Sequence, residues 1–223
     1  MSGYPSPNFG ERRGGVVPSL VVLHYTGMAT CAQARARLCD PLAEVSAHWL
    51  ISETGEAQAL VAESQRAWHA GAGEWAGIRD VNSHSIGVEL ANPGAQPFPE
   101  VQMAALEKLL IQVIARWKIA LHGVIAHSDM APLRKADPGR RFDWRRLALT
   151  GLSIWPDAQP TDIVKFTPSL RAFGYPDVGE DALLAAFRLR FRPWATGPLD
   201  AVDAGMAAEL ARRFPVDVQH PSA

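Results

Sequence analysis

The most informative segment of this chain is Ala126-His127-Ser128-Asp129-Met130-Ala131-Pro132-Leu133-Arg134-Lys135-Ala136-Asp137-Pro138-Gly139. It continues from the apolar run 124–126 and places a histidine, a lysine and two aspartates among residues that break helices. A buried strand that ends at a histidine and enters a loop with Pro and Gly is typical of a rigid scaffold that holds binding groups. The stretch therefore predicts a core strand followed by a functional loop.

A second histidine, His24, ends another apolar run, Ser19-Leu20-Val21-Val22-Leu23. Two imidazoles at strand ends together with one carboxylate form a three-ligand set, and such a set leaves the fourth position on zinc open to water. Asp129 and Asp137 both offer the carboxylate. The pattern predicts a hydrolytic zinc site.

Composition describes an ordinary globular protein. The chain has 223 residues, of which 48% are hydrophobic and 20% charged, with a formal net charge of −1. This charge gives no reason to expect nucleic acid or an anionic membrane as a partner. We find no apolar run near the roughly 18 residues of a membrane helix, and we expect a monomer.

The two cysteines, Cys31 and Cys39, fall on one predicted helix that Thr30 caps and Pro41 stops. Eight residues of helix separate their Cα atoms by about 12 Å, whereas a disulfide needs less than about 7 Å. We therefore expect free thiols, which suit a reducing compartment. The first residues also lack the pattern of a secretory signal. Both observations predict the cytoplasm, with the periplasm as the alternative if a signal has been removed.

Strand and helix patterns alternate over residues 1–155. Apolar runs predict strands at 20–25, 85–90 and 123–127, and a hairpin over 48–61 turns at 53–56. One helix shows the clearest periodicity, with apolar residues at Met103, Leu106, Leu109, Leu110, Val113, Ile114 and Trp117. This alternation predicts an α/β domain whose mixed central sheet is flanked by helices.

The remaining residues predict a second, smaller unit. Three prolines over 156–168 indicate a linker, and helical periodicity follows at 169–174, 181–191 and 200–214. We therefore expect a small three-helix module over 169–215 and a disordered tail at 216–223. A core of about fifty residues lies near the lower limit for independent stability.

The first domain resembles the type-2 N-acetylmuramoyl-L-alanine amidases, a family of zinc hydrolases. Five segments match the family's motifs in order: 22–26, 45–51, 67–71, 85–92 and 127–139. Together they cover roughly residues 5–155. The chain looks closest to the bacterial branch that processes cell-wall muropeptides, because that branch has an Arg-Lys-x-Asp-Pro-Gly loop.

The resemblance implies a role for each of five residues. His24, His127 and Asp137 would bind Zn²⁺. Glu89 would be the general base that takes a proton from water, and Lys135 would stabilise the oxyanion. Asp129 lies two residues after His127, too close for both to face one metal comfortably, so we expect it to cap backbone N–H groups.

Further positions bear on the substrate groove. The resemblance assigns three residues of the long loop to it: Trp68, His69 and Asn82. Trp75 could serve the same purpose, and we expect His48 to be structural. Ala47 occupies the position where the phage branch has a catalytic tyrosine, so the proton transfer is left to Glu89.

The implied activity is hydrolysis of the amide between N-acetylmuramic acid, or its 1,6-anhydro form, and L-alanine in peptidoglycan fragments. Two alternatives are a non-catalytic muropeptide sensor and a prophage endolysin that acts on the intact wall. The C-terminal module resembles a peptidoglycan-binding domain through apolar positions near Leu170, Leu183 and Gly197. A helical appendage that only braces the first domain would give a similar pattern.

Overall fold

The computed structural model describes residues 5–157 and 159–216. Strands in these ranges are β1 (Phe9–Gly10), β2 (Leu20–Tyr25), β3 (Trp49–Ile51), β4 (Ala57–Ala59), β5 (Arg66–Ala67), β6 (Ser85–Leu90) and β7 (Val124–Ala126). The α-helices are α1 (Cys31–Leu38), α2 (Val81–His84), α3 (Glu100–Trp117), α4 (His127–Met130), α5 (Trp144–Leu149), α6 (Phe166–Phe173), α7 (Glu180–Phe191) and α8 (Ala201–Arg213). The prediction of a disordered tail at 216–223 lies, apart from Val216, outside the described residues.

The central sheet has the strand order β4-β3-β6-β2-β7. Strands β3, β6, β2 and β7 run parallel to one another, and β4 returns antiparallel to β3 through the predicted hairpin. Strands β1 and β5 form a separate antiparallel pair. The prediction of a mixed α/β sheet covered by helices is confirmed.

Helix α3 covers one face of this sheet. Its buried residues Met103, Leu106 and Leu110 belong to one core with Val21 and Leu23 of β2. Side chains of a strand alternate between the two faces of a sheet. The neighbouring residues Leu20 and Val22 of β2 therefore point to the opposite face.

That opposite face has two separate covers. Near β3, α1 packs its Ala34 and Leu38 against Leu50. Over β2 and β7, the C-terminal helices share a core with Leu20 and Val22. A crevice lies between these covers, above the carboxyl ends of β6 and β2.

The C-terminal helices begin earlier than predicted. Helix α6 starts at Phe166, inside the segment 156–168 predicted as a linker, and the Phe166 side chain is fully buried. It packs edge-on against Phe187 of α7, with ring centroids 5.4 Å apart. The aromatic contact gives this segment a place in the core that its proline content did not indicate.

The predicted helix cap and thiols are confirmed. Thr30 Oγ1 accepts a hydrogen bond from the N–H of Gln33 at 3.2 Å. Cys31 and Cys39 are both free and half-buried. In the part of the chain that the structure describes, we find no helix with the length and apolarity needed to cross a bilayer.

Candidate active site

The candidate site lies where three parallel strands end. His24 of β2 is the register partner of Glu89 of β6, so both side chains leave the same face of the sheet. His127 follows directly after β7, which is the other neighbour of β2. In open α/β sheets, the crevice outside the carboxyl ends of the strands is the usual place for a ligand.

His24, His127 and Asp137 converge at this edge. His24 Nδ1 lies 2.9 Å from His127 Nδ1 and 2.9 Å from Asp137 Oδ2, and His127 Nδ1 lies 3.0 Å from the same carboxylate oxygen. All three residues are buried. Two imidazole nitrogens and a carboxylate oxygen facing one point are a donor set that fits Zn²⁺.

The outer nitrogens of the two imidazoles are also engaged. His127 Nε2 lies 2.9 Å from the carbonyl oxygen of Ala70, to which it can only donate. His24 Nε2 lies 3.1 Å from Nδ1 of His69. Partners of this kind fix the tautomer of a histidine and direct its other nitrogen toward a metal. The arrangement therefore favours a metal on the Nδ1 side of both rings.

The electrostatics favour the protonation states that bind metal. Burial, followed by the charge of His127, lowers the pKa of His24 to about 4. Burial opposes ionisation of Asp137, but hydrogen bonds from His127 and His24 outweigh it and hold the pKa of this carboxyl well below its usual range. A neutral His24 and an ionised Asp137 need lose no proton to bind a cation at neutral pH.

Glu89 lies beside this cluster. Burial of its carboxyl group, reinforced by the charge of Asp137, raises its pKa to about 8. Its Oε2 atom is enclosed and has no hydrogen-bond partner among the described residues. An enclosed carboxylate oxygen without a partner normally carries a cost, so this carboxyl group is suited to a proton or to a nearby positive charge.

These groups open into a cavity of about 520 Å³. Trp68 and His69 line it, and Lys135 lies on its exposed wall. Asn82 lies outside the cavity lining, where its Oδ1 accepts hydrogen bonds from the N–H groups of His69 (3.0 Å) and Ala70 (2.8 Å). The structure thus brings Trp68 and His69 to the cavity and gives Asn82 the position of a loop support.

Arg134 is a cavity residue that the sequence analysis did not single out. Its guanidinium donates to the carbonyl of Ala72 at 2.6 Å and to the carbonyl of Ala70. Arg134 therefore joins the loop that carries Asp137 to the loop that carries His69. Its position beside Lys135 in the Arg-Lys-x-Asp-Pro-Gly motif is the sequence feature from which this role could have been predicted.

Gly87 explains how His69 reaches the ligand cluster. A Cβ atom at Gly87 would collide with the His69 ring, so only glycine admits the imidazole against β6. His48 lies nearby but its Nδ1 accepts the N–H of Gly87 at 2.9 Å. His48 thus has the structural position expected of it.

Asp129 lies apart from the ligand cluster, as its spacing predicted. Its Oδ2 accepts the N–H of Ala126 at 2.8 Å, which is the expected backbone cap. The carboxylate also accepts hydrogen bonds from Tyr175 and Arg190, which the sequence analysis missed.

The fold and the site define an α/β protein with a two-histidine, one-aspartate group that could hold a metal ion at the carboxyl edge of its sheet. The model of the N-acetylmuramoyl-L-alanine amidase family matches residues 14–140, more than half of the chain. The chain belongs to this family.

Curated relatives agree. The N-acetylmuramoyl-L-alanine amidase AmiD of Escherichia coli is 34% identical in an alignment that covers 89% of this chain and 84% of AmiD. The 1,6-anhydro-N-acetylmuramyl-L-alanine amidase AmpD of Haemophilus influenzae is 32% identical in an alignment that covers 63% of this chain and 86% of AmpD.

Two solved structures extend the likeness over nearly the whole chain. AmiD from E. coli, in complex with the substrate anhydro-N-acetylmuramic acid-L-Ala-D-γ-Glu-L-Lys, superposes with a TM-score of 0.82 at 31% identity and covers 94% of this chain and 99% of its own. AmpDh3 from Pseudomonas aeruginosa, in complex with anhydromuramic pentapeptide, gives a TM-score of 0.79 at 28% identity and covers 96% and 97%. Both matches include C-terminal helices of this chain.

Proposed function

We propose that this chain is a zinc-dependent amidase. It hydrolyses the amide bond between N-acetylmuramic acid, or its 1,6-anhydro form, and L-alanine in peptidoglycan fragments, and it serves cell-wall turnover. The observation that carries the proposal is the convergence of His24, His127 and Asp137, whose ligand atoms lie within 3.0 Å of one another. Beside them lies Glu89, whose buried Oε2 atom has no hydrogen-bond partner among the described residues. The complex of the related AmiD with an anhydro-muramyl tripeptide supports the choice of substrate.

His24 Nδ1, His127 Nδ1 and Asp137 Oδ2 would hold the zinc ion. When bound there, zinc supplies a Lewis acid that polarises the amide carbonyl and makes water more acidic. The chain's part in this is to bring the three ligand atoms within 3.0 Å of one another. The contacts from His69 and from the Ala70 carbonyl keep the two rings oriented.

Glu89 would move the proton. Its carboxylate accepts a proton as water adds to the carbonyl carbon, and it returns that proton to the amine nitrogen as the carbon–nitrogen bond breaks. The products are the free lactyl carboxylate and the free amino group of the peptide. In the metal-free chain burial raises the pKa of Glu89 to about 8, and a nearby bound cation would favour the ionised carboxylate that accepts the proton.

Lys135 and Trp68 would act on the substrate directly. Lys135 extends from the ligand loop into the cavity wall, where its ammonium group can stabilise the oxyanion. Trp68 offers an aromatic wall for the apolar face of a sugar ring. Asn82 contributes indirectly, because its side chain holds the backbone of His69 and Ala70.

The proposed setting is the cytoplasm, with soluble anhydro-muropeptides as the substrate. The free thiols of Cys31 and Cys39 support a reducing compartment. The chain would act as a monomer, since all proposed ligands and the proposed base come from one chain. Fractionation of cells and sedimentation of the purified protein test these two points.

The proposal is tested by incubating the zinc-loaded protein with a purified anhydro-muropeptide and, separately, with insoluble sacculi. Mass spectrometry should detect stem peptides with a free N-terminal L-alanine. His24→Ala should produce none, and His84→Ala is the matched control because the His84 side chain hydrogen-bonds only to the Asp80 carbonyl among the described residues. Tight binding of the muropeptide without cleavage would favour the sensor, and cleavage confined to sacculi would favour the endolysin.

A further inference from the structure

A buried ion pair connects the C-terminal helices to the turn that carries His127. Arg190 of α7 donates from Nη1 to Asp129 Oδ2 at 2.6 Å, and both side chains are fully buried. The hydroxyl of Tyr175 donates to the other carboxylate oxygen of Asp129 at 2.6 Å. Asp129 therefore receives hydrogen bonds on both oxygens from residues that lie far away in the sequence.

The guanidinium group of Arg190 has further buried contacts. Its Nη2 donates to the carbonyl of Val124 in β7 at 2.8 Å. Its guanidinium carbon lies 4.5 Å from the centre of the Trp144 ring, a cation–π distance. One side chain thus joins α7 to the last strand before the ligand loop and to the helix after it.

Asp129 in turn fixes the geometry of two ligands. It caps the N–H of Ala126, so the turn 127–130 has one orientation relative to β7. Within that turn, the N–H of Ser128 donates to the carbonyl of Asp137 at 3.1 Å. The turn therefore carries His127 and also holds the backbone of Asp137.

We propose that Arg190 and Tyr175 are positioning residues for the metal centre, acting through Asp129 on His127 and Asp137. The inference rests on the proposed function. The C-terminal helices then belong to the catalytic unit, because Arg190 contacts Asp129 in the turn 127–130 that carries His127. Outer contacts of this kind typically change metal affinity or activity by about 10–100-fold when they are removed.

The chain offers a matched control on the same helix. Arg188 pairs with the fully buried Asp203 at 2.5 Å, and its own side chain is 11% exposed. This ion pair lies within the C-terminal helices, and among the described residues Arg188 hydrogen-bonds to Asp203 and to the carbonyls of Gly197 and Pro198, not to the turn 127–130. Arg188→Met removes a comparable buried ion pair and leaves the contacts of Asp129 intact.

The experiment measures the zinc dissociation constant of the full chain by competition with a chromophoric chelator. The variants are Arg190→Met, Tyr175→Phe and Arg188→Met, and the melting temperature of each metal-free protein is recorded. We expect Arg190→Met to raise the zinc dissociation constant about 10–100-fold, Tyr175→Phe to raise it by less, and Arg188→Met to lower only the melting temperature. With the muropeptide as substrate, Arg190→Met should lower kcat more than it changes KM.

Unchanged zinc affinity in Arg190→Met, with a melting temperature lowered as in Arg188→Met, would overturn the inference and leave the proposed function standing. If Arg190→Met does not fold, Tyr175→Phe decides, since it removes one hydroxyl group only. Unchanged zinc affinity and kcat in that variant would also overturn the inference. A wild-type chain that neither binds zinc nor cleaves muropeptide would instead refute the proposed function itself.

Discussion

Replacing Glu89 with glutamine should stabilise the metal-free protein while it removes activity. The carboxyl of Glu89 has a pKa of about 8 in the folded chain, against an ordinary value of 4.5. Glutamine has nearly the same shape and does not ionise. The substitution therefore isolates the free energy of holding this one carboxyl group in the site.

The magnitude follows from the two pKa values. Below pH 4.5 the carboxyl is protonated in both states, so it has no effect on stability. As the pH rises from 4.5 to 8, the unfolded chain releases the proton and the folded chain keeps it, so the wild-type protein loses stability. The difference of about 3.5 pH units, at 1.36 kcal/mol per unit, sets an upper value of about 5 kcal/mol. Water on the cavity side of the half-buried side chain reduces this value.

Urea denaturation with a chelator present, repeated between pH 4 and pH 9, measures the effect. The free energy of unfolding of Glu89→Gln should equal that of the wild type near pH 4, exceed it increasingly up to pH 8, and keep a constant advantage above that. Added zinc should narrow the gap, because a nearby cation favours the ionised carboxylate. Parallel pH profiles for the two metal-free proteins would refute the reasoning.

The same Glu89→Gln protein should retain zinc while its kcat falls by about 10²–10⁴, and near wild-type turnover would remove Glu89 from the proposed mechanism. Alanine at His24, His127 or Asp137 should abolish turnover and lower the zinc content measured by atomic emission; full zinc occupancy after Asp137→Ala would contradict the ligand set. Lys135→Ala should lower kcat by about 10²–10³, with Lys118→Ala as the control. An unchanged kcat would show that Lys135 does not stabilise the oxyanion. A chain shortened after Trp155 should melt at a lower temperature and lose activity on soluble and insoluble substrates alike, since Leu20 and Val22 lose their cover; a stable, active fragment would show that the helices are dispensable.

Much of the scaffold could be predicted because its signals are local. The apolar run of β2, the apolar stripe of α3 and the capped helix after Thr30 each follow from a few neighbouring residues. Strand ends also predict proximity when the strands are parallel neighbours. This is why His24 and His127 could be placed together before their distance was known.

The contacts that could not be predicted join distant parts of the chain. Arg190 lies 61 residues from Asp129, and no periodic pattern distinguishes it from Arg188 two positions earlier. Both arginines sit among apolar residues of α7, yet they bind different aspartates. His69 was assigned to the substrate groove by resemblance, whereas its contact with His24 depends on the missing side chain of Gly87. Such details are decided by how layers pack, which one sequence does not show.

The two faces of β2 have a consequence for recombination between relatives. Val21 and Leu23 belong to the core that α3 forms on one face, whereas Leu20 and Val22 belong to the core that α6, α7 and α8 form on the other. A crossover in the segment 156–165 would look harmless in an alignment, since that segment joins two runs of secondary structure. It would nevertheless exchange only half of an interdigitated surface and leave the other half from a different parent. A working chimera should therefore inherit Leu20, Val22 and Ile125 together with the three C-terminal helices.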